Sequence, residues 1–354
     1  MPFPILKRIK IIFLNINLEG GTYAMNDIIC KYKKLIEEIS HCSVVKNGEG
    51  QYMIRPLPLQ SQSDWGFVEW SIFELGNGDY CGFYWKLGGE NKNPIVCALH
   101  HDDGELLPWA SSMQGFFDLT AANEEENHDL FEGNFWFKRE ELRETLLHYG
   151  HEFDFPSLPK LISLKDALTI DDMSPICLKH MGDQYQRDNN FECAKNYYLK
   201  ALLSLPEYGE VSFALAMLYR SLQQDNLAIP YFIDAFTSPF YFCKEHEKSL
   251  RILSLYNEDD LYELNDPIWK RRHLIKLDDG EKYPTFHRIA NEVIEEYMTL
   301  KEYRRAIGFR IFMGIFATGD IRLTHRYQLS DHQKLLRQNL QDAGLEERIA
   351  LLGL

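Results

Sequence analysis

The run of this sequence with the richest potential for chemistry is His100-His101-Asp102-Asp103. Adjacent histidine and aspartate side chains can ligate a metal ion, and some metal phosphohydrolases carry such a doublet on a helix, with further ligands on other helices. Here the run follows an apolar stretch that is typical of a strand, and Gly104 directly after it indicates a turn. The pattern therefore favours a polar turn or a binding loop over a metal site.

Other catalytic motifs are incomplete or absent from the sequence. His148 and His151 have the spacing of two ligands on one helix, but Gly150 between them disfavours that helix. Gly76 and Gly78 lack the third glycine of a dinucleotide fingerprint, and neither a phosphate-binding loop of the Walker type nor a nucleophile elbow occurs. We therefore predict a protein that is not an enzyme and that uses no cofactor and no metal.

The seven cysteines are scattered along the chain, and no two of them form a Cys-x-x-Cys pair. This distribution argues against a zinc ribbon and against a disulfide framework. A reducing compartment, the cytoplasm, is the expected location. A short apolar run after residue 10 is interrupted by Asn15 and Asn17, so the sequence predicts neither a signal peptide nor a membrane span.

The C-terminal half repeats itself with a period of 34 residues, which is the tetratricopeptide period. Small residues in such repeats let two antiparallel helices approach, and aromatic residues fill the space between them. The matching positions are Leu178, Met181, Gly182, Tyr185, Ala194, Tyr198, Ala201 and Pro206 in one copy, and Leu215, Ala216, Tyr219, Ala228, Phe232 and Ala235 in the next. The pattern predicts an all-α, tetratricopeptide-like helical-repeat domain over residues 174–354.

The rest of this domain follows the repeat less closely. We expect further helices at residues 240–256 and 261–277, a degenerate third repeat at 286–317 and capping helices at 328–351. In a tetratricopeptide pair, the inner helices present the positions between the packing residues to a concave groove. These positions either face solvent or bind a peptide, and they are Lys179, Asp183, Arg187, Phe213, Met217 and Arg220.

The N-terminal part has the pattern of an α+β domain over residues 25–155. An amphipathic helix is predicted at residues 26–39, and strands at 65–74, 80–87 and 94–99 suggest a mainly antiparallel sheet. A further helix begins near Met113 after a serine N-cap. Two prolines within residues 155–159 indicate a stiff linker, so residues 156–173 are expected to be the linker and a lead-in helix.

Part of this domain resembles a known family. Residues 74–79 read Glu-Leu-Gly-Asn-Gly-Asp, an aromatic strand follows at 80–85, and residues 94–102 read Pro-Ile-Val-Cys-Ala-Leu-His-His-Asp before Ala-Ser-Ser-Met-Gln-Gly-Phe-Phe. Over about residues 26–150 this is similar to the SUKH superfamily, whose bacterial members are largely immunity proteins of polymorphic toxin systems. The resemblance implies a SUKH-like domain that neutralises a toxin by binding it.

Charge points to the same kind of partner. The net charge is −15, and residues 25–160 carry 23 acidic against 11 basic side chains, a net of −12. Such a field repels nucleic acid and anionic membranes and speeds the encounter with a basic protein, such as a nuclease toxin. The predicted interface consists of turn acids beside two tryptophans that serve either as core or as exposed anchors: Asp79, Asp102, Asp103, Glu105, Trp85 and Trp109.

Two further expectations remain open. Glu19-Gly20-Gly21 can be encoded by a ribosome-binding sequence at the usual distance before Met25, so residues 1–24 are predicted to be a translated, non-native leader. For function, one hypothesis is an immunity protein that occludes a basic toxin domain. The alternative is an adaptor that holds a host peptide or protein in its tetratricopeptide-like groove.

Overall fold

The computed structural model describes residues 73–74, 80–88, 94–99, 105–122, 163–257, 264–277, 283–316, 328–346 and 348–349. They fall into two compact units. The sheet unit holds the described residues of 73–85 and 94–184, and the helical unit holds 86–88 and those of 185–349. The predicted leader, the helix at 26–39 and the proline-containing linker lie outside the described residues.

The described part of the sheet unit contains four antiparallel strands in the order β1-β2-β3-β4. They are β1 (Phe73–Glu74), β2 (Tyr80–Tyr84), β3 (Ile95–Leu99) and β4 (Leu106–Ala110). The predicted strands at 80–87 and 94–99 are confirmed, with shorter ends, and so is the α+β class of this part. Sequence reasoning missed β4. Its pairing with β3 shifts register beside Val96, and Pro108, which lacks a donor, is tolerated at such an irregular edge.

Helix α1 (Met113–Ala122) begins where the serine cap predicts it. The Ser112 hydroxyl accepts a hydrogen bond from the Gly115 amide at 3.1 Å, which satisfies one of the free donors of the first turn. Phe116 and Leu119 are buried one turn apart, and the Phe116 ring packs 6.5 Å from that of Trp109. One face of α1 therefore closes the core against the sheet.

Two helices follow in the chain, α2 (Leu164–Ile170) and α3 (Pro175–Arg187). Ser163 and Asp166 form a reciprocal capping box at the start of α2. At the start of α3 the Ser174 hydroxyl accepts from the backbone amide three residues on, and Pro175 occupies the first helical position, as the sequence predicts. Both helices thus begin at side chains that are suited to satisfy unpaired amides.

Asp171, between α2 and α3, fixes this segment to Ser111, directly after β4. Its carboxylate accepts from the backbone amide of Ser111 at 2.7 Å and from the Ser111 hydroxyl at 2.6 Å. Burial raises the pKa of this carboxyl, and the hydrogen bonds from Ser111 oppose that rise. A Cβ atom at Gly115 would stand 2.5 Å from the carboxylate, so only glycine allows this approach.

Within its described residues, the helical unit continues with ten further elements. They are α4 (Phe191–Ser204), α5 (Gly209–Ser221), α6 (Asp225–Thr237), a 3-10 turn (Phe240–Phe242), α7 (His246–Leu253), α8 (Pro267–Arg271), α9 (Tyr283–Thr299), α10 (Tyr303–Met313), a second 3-10 turn (Gly314–Phe316) and α11 (Leu329–Asp342). Helices α3 and α5 begin 34 residues apart, as do α4 and α6. The C-terminal half is therefore helical and repeat-like.

Two of the predicted helices are wrong in extent. The stretch at 240–256 is broken, because Cys243 adopts an extended backbone between the 3-10 turn and α7. The stretch at 261–277 forms only the short α8 among its described residues. There Asp266 caps the new helix at the amides of Ile268 and Trp269, and Pro267 sets its first turn. At α8, local capping therefore decides the start of the helix against the apolar periodicity.

One chain reversal recurs at the ends of α3, α5, α9 and α11. In each, a residue in the left-handed region donates to the carbonyl three residues earlier, and the next amide reaches back five residues, which is the Schellman pattern. The left-handed residues are Asn189, Gln223, Lys301 and Gly344, and the long bonds join Asn190 to Tyr185, Gln224 to Tyr219, Glu302 to Tyr297 and Leu345 to Leu340. Four helix ends therefore share one geometry.

Packing across the hairpins recurs in the same register. Tyr185 stacks on Tyr197 with ring centroids 5.4 Å apart, and 34 residues later Tyr219 stacks on Tyr231 at 5.8 Å. A buried alanine follows each reversal tyrosine by nine residues, at Ala194, Ala228 and Ala306. An alanine at this position leaves room for the two helices to approach closely.

A buried charge network ties α6, α8, α9 and α10 together. Arg305 pairs with Asp234 at 2.8 Å and with Asp266 at 3.2 Å, and the Tyr297 hydroxyl donates to Asp266 at 2.9 Å. Burial, followed by the neighbouring carboxylate, raises the pKa of Tyr297 well above its usual value. Because each carboxylate has both a guanidinium and further donors, the charges are compensated inside the unit.

The third hairpin departs from the others at one core position. Tyr198 and Phe232 fill the helix core in the first two hairpins, and Arg310 stands at the matching place in the third, fully buried. Its guanidinium donates to the side-chain oxygens of Asn339 at 2.9 Å and Asn291 at 2.7 Å. A polar bridge between α9, α10 and α11 thus replaces an aromatic contact.

We predict that Gln223→Gly stabilises the protein. Gln223 has φ = 59°, a conformation that costs a residue with a side chain about 1 kcal/mol and costs glycine little. After the greater chain entropy of glycine is subtracted, the free energy of unfolding should rise by roughly 0.5 kcal/mol. Chemical denaturation measures it. The control is Gln224→Gly at φ = −106°, where a gain of equal size would contradict the explanation.

His246 is a buried neutral base in the helical unit. Its Nδ1 donates to the carbonyl of Phe236 at 2.9 Å, and its ring stacks on Phe312 at 4.0 Å between centroids. Burial lowers the pKa of this imidazole to about 4, and in the same way burial, then the Arg310 charge, lowers that of His332 to about 4. Neither ring carries a charge in the folded protein near neutral pH.

We predict that acid removes stability through His246. Below pH 6.5 the unfolded chain binds a proton on this histidine and the folded chain does not until about pH 4, so stability is lost between these values. The loss amounts to roughly 3 kcal/mol at the lower end. His246→Asn, which keeps a donor near Phe236, should flatten this pH dependence in denaturation titrations. The exposed His273→Asn should not, and equal slopes for the wild type and His246→Asn would refute the assignment.

Candidate functional site

Helix α5 leaves one narrow stripe of its surface uncovered within the helical unit. Glu210, Ala214 and Met217 are partly exposed at spacings of four and three residues, while most other positions of the helix are buried. Phe213 lies between them on the same side. We call Glu210, Phe213, Ala214 and Met217 the α5 face. It combines an acid, an aromatic ring, a small residue and an adaptable methionine.

Among the four side chains of the α5 face, that of Phe213 is held most firmly by its contacts. It is only 9% exposed, and its ring meets Phe232 of α6 edge-on with centroids 5.8 Å apart. The ammonium group of Lys248, on α7, lies 4.8 Å from the centre of the Phe213 ring. The position and tilt of the ring are therefore fixed by the core behind it, and a cation lies over its face.

The start of α5 is placed by a close approach of two backbone segments. A Cβ atom at Gly209 would stand 2.1 Å from the Ser238 hydroxyl and 2.6 Å from Cβ of Cys243, so this position requires glycine. Cys243 is buried, and burial raises the pKa of its thiol to about 12. A thiol in that state is not a nucleophile at neutral pH. The segment around Cys243 therefore fixes the position of α5 and does not supply a nucleophile.

Within the helical unit, the predicted groove residues Phe213, Met217 and Arg220 share one side of α5. Arg220 is partly exposed in the last turn, where a positive charge complements the carboxyl end of the helix. A charge reversal there would change helix stability as well as any contact with a partner. Arg187 is exposed at the end of α3.

Lys179 and Asp183, the other predicted groove residues, belong to the sheet unit. They pair with each other along α3 at 3.0 Å, with both side chains about one fifth exposed. An i,i+4 pair of this kind adds a few tenths of a kcal/mol to a helix and satisfies both charges locally.

The two tryptophans of the predicted interface are buried. Trp85 is 1% exposed and Trp109 3%, so of the two alternatives that the sequence leaves open, core or exposed anchor, the structure shows the core for both rings. Trp109 packs against Phe116, and its carbonyl accepts from the Ser174 hydroxyl. Both rings stabilise the inside of the fold, which is the more common use of a tryptophan beside a strand.

Most of the predicted acidic interface residues lie outside the part of the chain that the structure describes. Asp79, Asp102 and Asp103 lie outside the described residues, as does the run that begins at His100, and Glu105 is partly buried just before β4. No group of three metal-ligating side chains comes together in the described part of the chain. Among these same residues no helix has the length and apolar character that a bilayer crossing requires.

Sequence reasoning missed Lys248 and its neighbour Glu245. The Lys248 ammonium lies 3.4 Å from the Glu245 carboxylate, and both side chains are exposed. Lys248 is 35 residues beyond Phe213, in a stretch that was expected to be one longer helix. No pattern in the sequence links the two, because their contact depends on how α7 folds back beside α6.

Comparison with known protein families identifies only part of the chain. Residues 60–129 match a family described as the YfbP N-terminal domain. This range contains the described strands and helix α1 of the sheet unit. The match shows what that stretch is similar to and supplies no activity.

The match to a curated relative is equally local. A curated relative described as the uncharacterized protein YfbP of Escherichia coli strain K12 is 38% identical over 64 residues, which are 18% of this chain and 23% of that protein. The chain thus spans less than a quarter of that relative. A solved structure described as the C. elegans SMG5-SMG7 complex aligns over 60% of this chain and 63% of that one, at 14% identity and a TM-score of 0.25, which supports no argument about fold or function.

Proposed function

We propose that this protein is a non-enzymatic binding protein that holds a segment of another protein on the α5 face. The observation that carries the proposal is a partly exposed stripe of mixed chemistry on a helix whose other sides are fixed by packing. Loops vary, whereas a helix inside an array of hairpins presents its side chains at constant positions. Such a face can bind a partner without paying for its own ordering.

The composition of the α5 face suits a peptide ligand. Met217 has an unbranched, polarizable side chain that adapts to different partners, and Ala214 beside it allows a backbone to approach. Phe213 supplies a rigid aromatic surface. Buried aromatic anchors contribute most of the binding energy at many interfaces. The proposal is therefore a form of the adaptor hypothesis, in which a helical-repeat groove holds a peptide or protein.

We predict that Met217→Lys weakens peptide binding without unfolding the protein. A library of short random peptides displayed on phage would be selected on the full chain, and the affinities of the enriched peptides measured on wild type and variant. An ammonium group in the centre of the face should weaken them by about tenfold or more, because one central contact is lost and a charge is added. Met217 is partly exposed, so the melting temperature should stay within a few degrees of that of the wild type.

The matched control is Leu203→Lys. Leu203 is a 74% exposed apolar residue on α4, so the substitution adds the same charge away from the α5 face. Its affinity for the enriched peptides should equal that of the wild type. Selection that enriches no peptide, or an equal loss with both variants, would contradict the proposal.

A second proposal is that the partner is a basic toxin domain and that the protein is its immunity protein. The acidic excess of residues 25–160, a net of −12, supports it, because an acidic domain attracts a basic one over long distances. The SUKH resemblance suggested the same role. The match of residues 60–129 to the YfbP N-terminal domain does not bear on it.

We predict that co-expression with the gene immediately upstream protects the cell, if that gene encodes a toxin. Cells that express both proteins should grow, and cells that express the upstream gene alone should die. Neutralising Asp102 and Asp103 together should slow association and flatten its dependence on salt, because exposed charges act chiefly on the rate of encounter. Equal killing with and without this protein would refute the immunity role and leave the binding proposal untouched.

A further inference from the structure

Lys248 covers a ring that is otherwise fully supported from behind. Phe213 rests edge-on against the buried Phe232, and its front face holds the Lys248 ammonium at 4.8 Å. The Lys248 side chain is 54% exposed, so most of its surface remains in water. The cover of this aromatic face is therefore a flexible side chain at the protein surface.

Little holds Lys248 in this position. Its ion pair with Glu245 joins two exposed groups at 3.4 Å, and pairs of that kind contribute little to stability. The ammonium is strongly hydrated and sits at the end of four rotatable bonds. Displacing it from the ring should reduce the affinity of a competing ligand by about tenfold at most.

We propose that the face of Phe213 takes a cationic side chain of the bound protein segment, and that Lys248 is the internal cation which this side chain displaces. The inference rests on the proposed function of the α5 face. The ligand chemistry follows from what the ring already holds, because an aromatic face with a cation over it is complementary to another cation. The occupant is a basic segment, in keeping with a net charge of −15.

Arginine fits this place better than lysine. A guanidinium is planar, stacks on an aromatic face and is less strongly hydrated than an ammonium. Glu210 precedes Phe213 by one helical turn on the same face, and the Glu245 carboxylate already lies 3.4 Å from the resident cation. At this range the Glu245 carboxylate is an acceptor for the guanidinium edges. Met217, one turn beyond Phe213, offers apolar surface to the stem of the incoming side chain.

The test uses the full chain and an alternating arginine–glycine peptide, with a citrulline–glycine peptide as its neutral counterpart of equal shape. Wild type should bind the arginine peptide about tenfold more tightly than the citrulline peptide. Phe213→Leu, which removes the ring, should reduce this ratio markedly. Phe213→Tyr, which keeps the ring, should preserve it.

A second pair of variants distinguishes displacement of Lys248 from the ring from the general effect of removing one positive charge. Lys248→Met vacates the ring and should raise affinity for the arginine peptide by about three- to tenfold. Lys244→Met removes the same charge from an exposed position four residues earlier and should raise it much less. This pair decides the matter even if Phe213→Leu fails to fold. Equal effects of the two lysine variants would overturn the proposal.

The outcome is distinguishable from a failure of the binding function itself. If phage selection enriches peptides that depend on Met217, yet the Phe213 and Lys248 variants do not change the preference for arginine over citrulline, this inference alone is wrong. If no peptide is enriched, the binding function is wrong and this inference fails with it.

Discussion

The left-handed residue that ends each first helix of a hairpin is the constraint on which the helical unit depends. An α-helix continues unless something makes it more favourable to stop, and here one residue of positive φ turns the chain while two amides satisfy carbonyls of the last turn. Because the reversal has the same geometry each time, the second helix returns in the same register. The tyrosine stacks and the buried alanines then fall at matching places without separate specification.

Although the hairpins share this geometry, they differ in their individual side-chain contacts. Arg305 draws two carboxylates into one buried network, and Gly308 lets α10 approach the end of α6, where a Cβ atom would stand 2.5 Å from the Thr237 carbonyl. These interactions leave few free sides on the helices. The α5 face is available because the packing that fixes α5 uses its other sides.

Sequence patterns predicted the repeating part of the fold more completely than the rest. A period of 34 residues located α3 to α6, because small and aromatic side chains at fixed offsets reflect helix packing directly. It could not locate the break at Cys243 or the short α8, where capping by Asp266 and Pro267 overrides the apolar periodicity. Sequence reasoning also missed the strand β4, because its proline interrupts the alternation of apolar and polar residues that is typical of a strand.

The candidate site shows the same division. Phe213 and Met217 followed from their helical positions, whereas Lys248 is brought to the ring by tertiary folding that no spacing encodes. The tryptophans show the converse limit. Composition cannot distinguish an aromatic ring that binds a partner from one that fills a core, and Trp85 and Trp109 do the latter.

Arg310 sets a limit on the modularity of the array. A hairpin with an aromatic core residue can in principle be duplicated, deleted or exchanged with its neighbour, since any apolar surface will cover it. A hairpin with a buried guanidinium needs, besides Asn291 on its own first helix, the amide of Asn339 on the following helix α11. Recombination that separates this hairpin from α11 would leave the guanidinium without one of its two amide acceptors in apolar surroundings, so the order of these last elements is constrained.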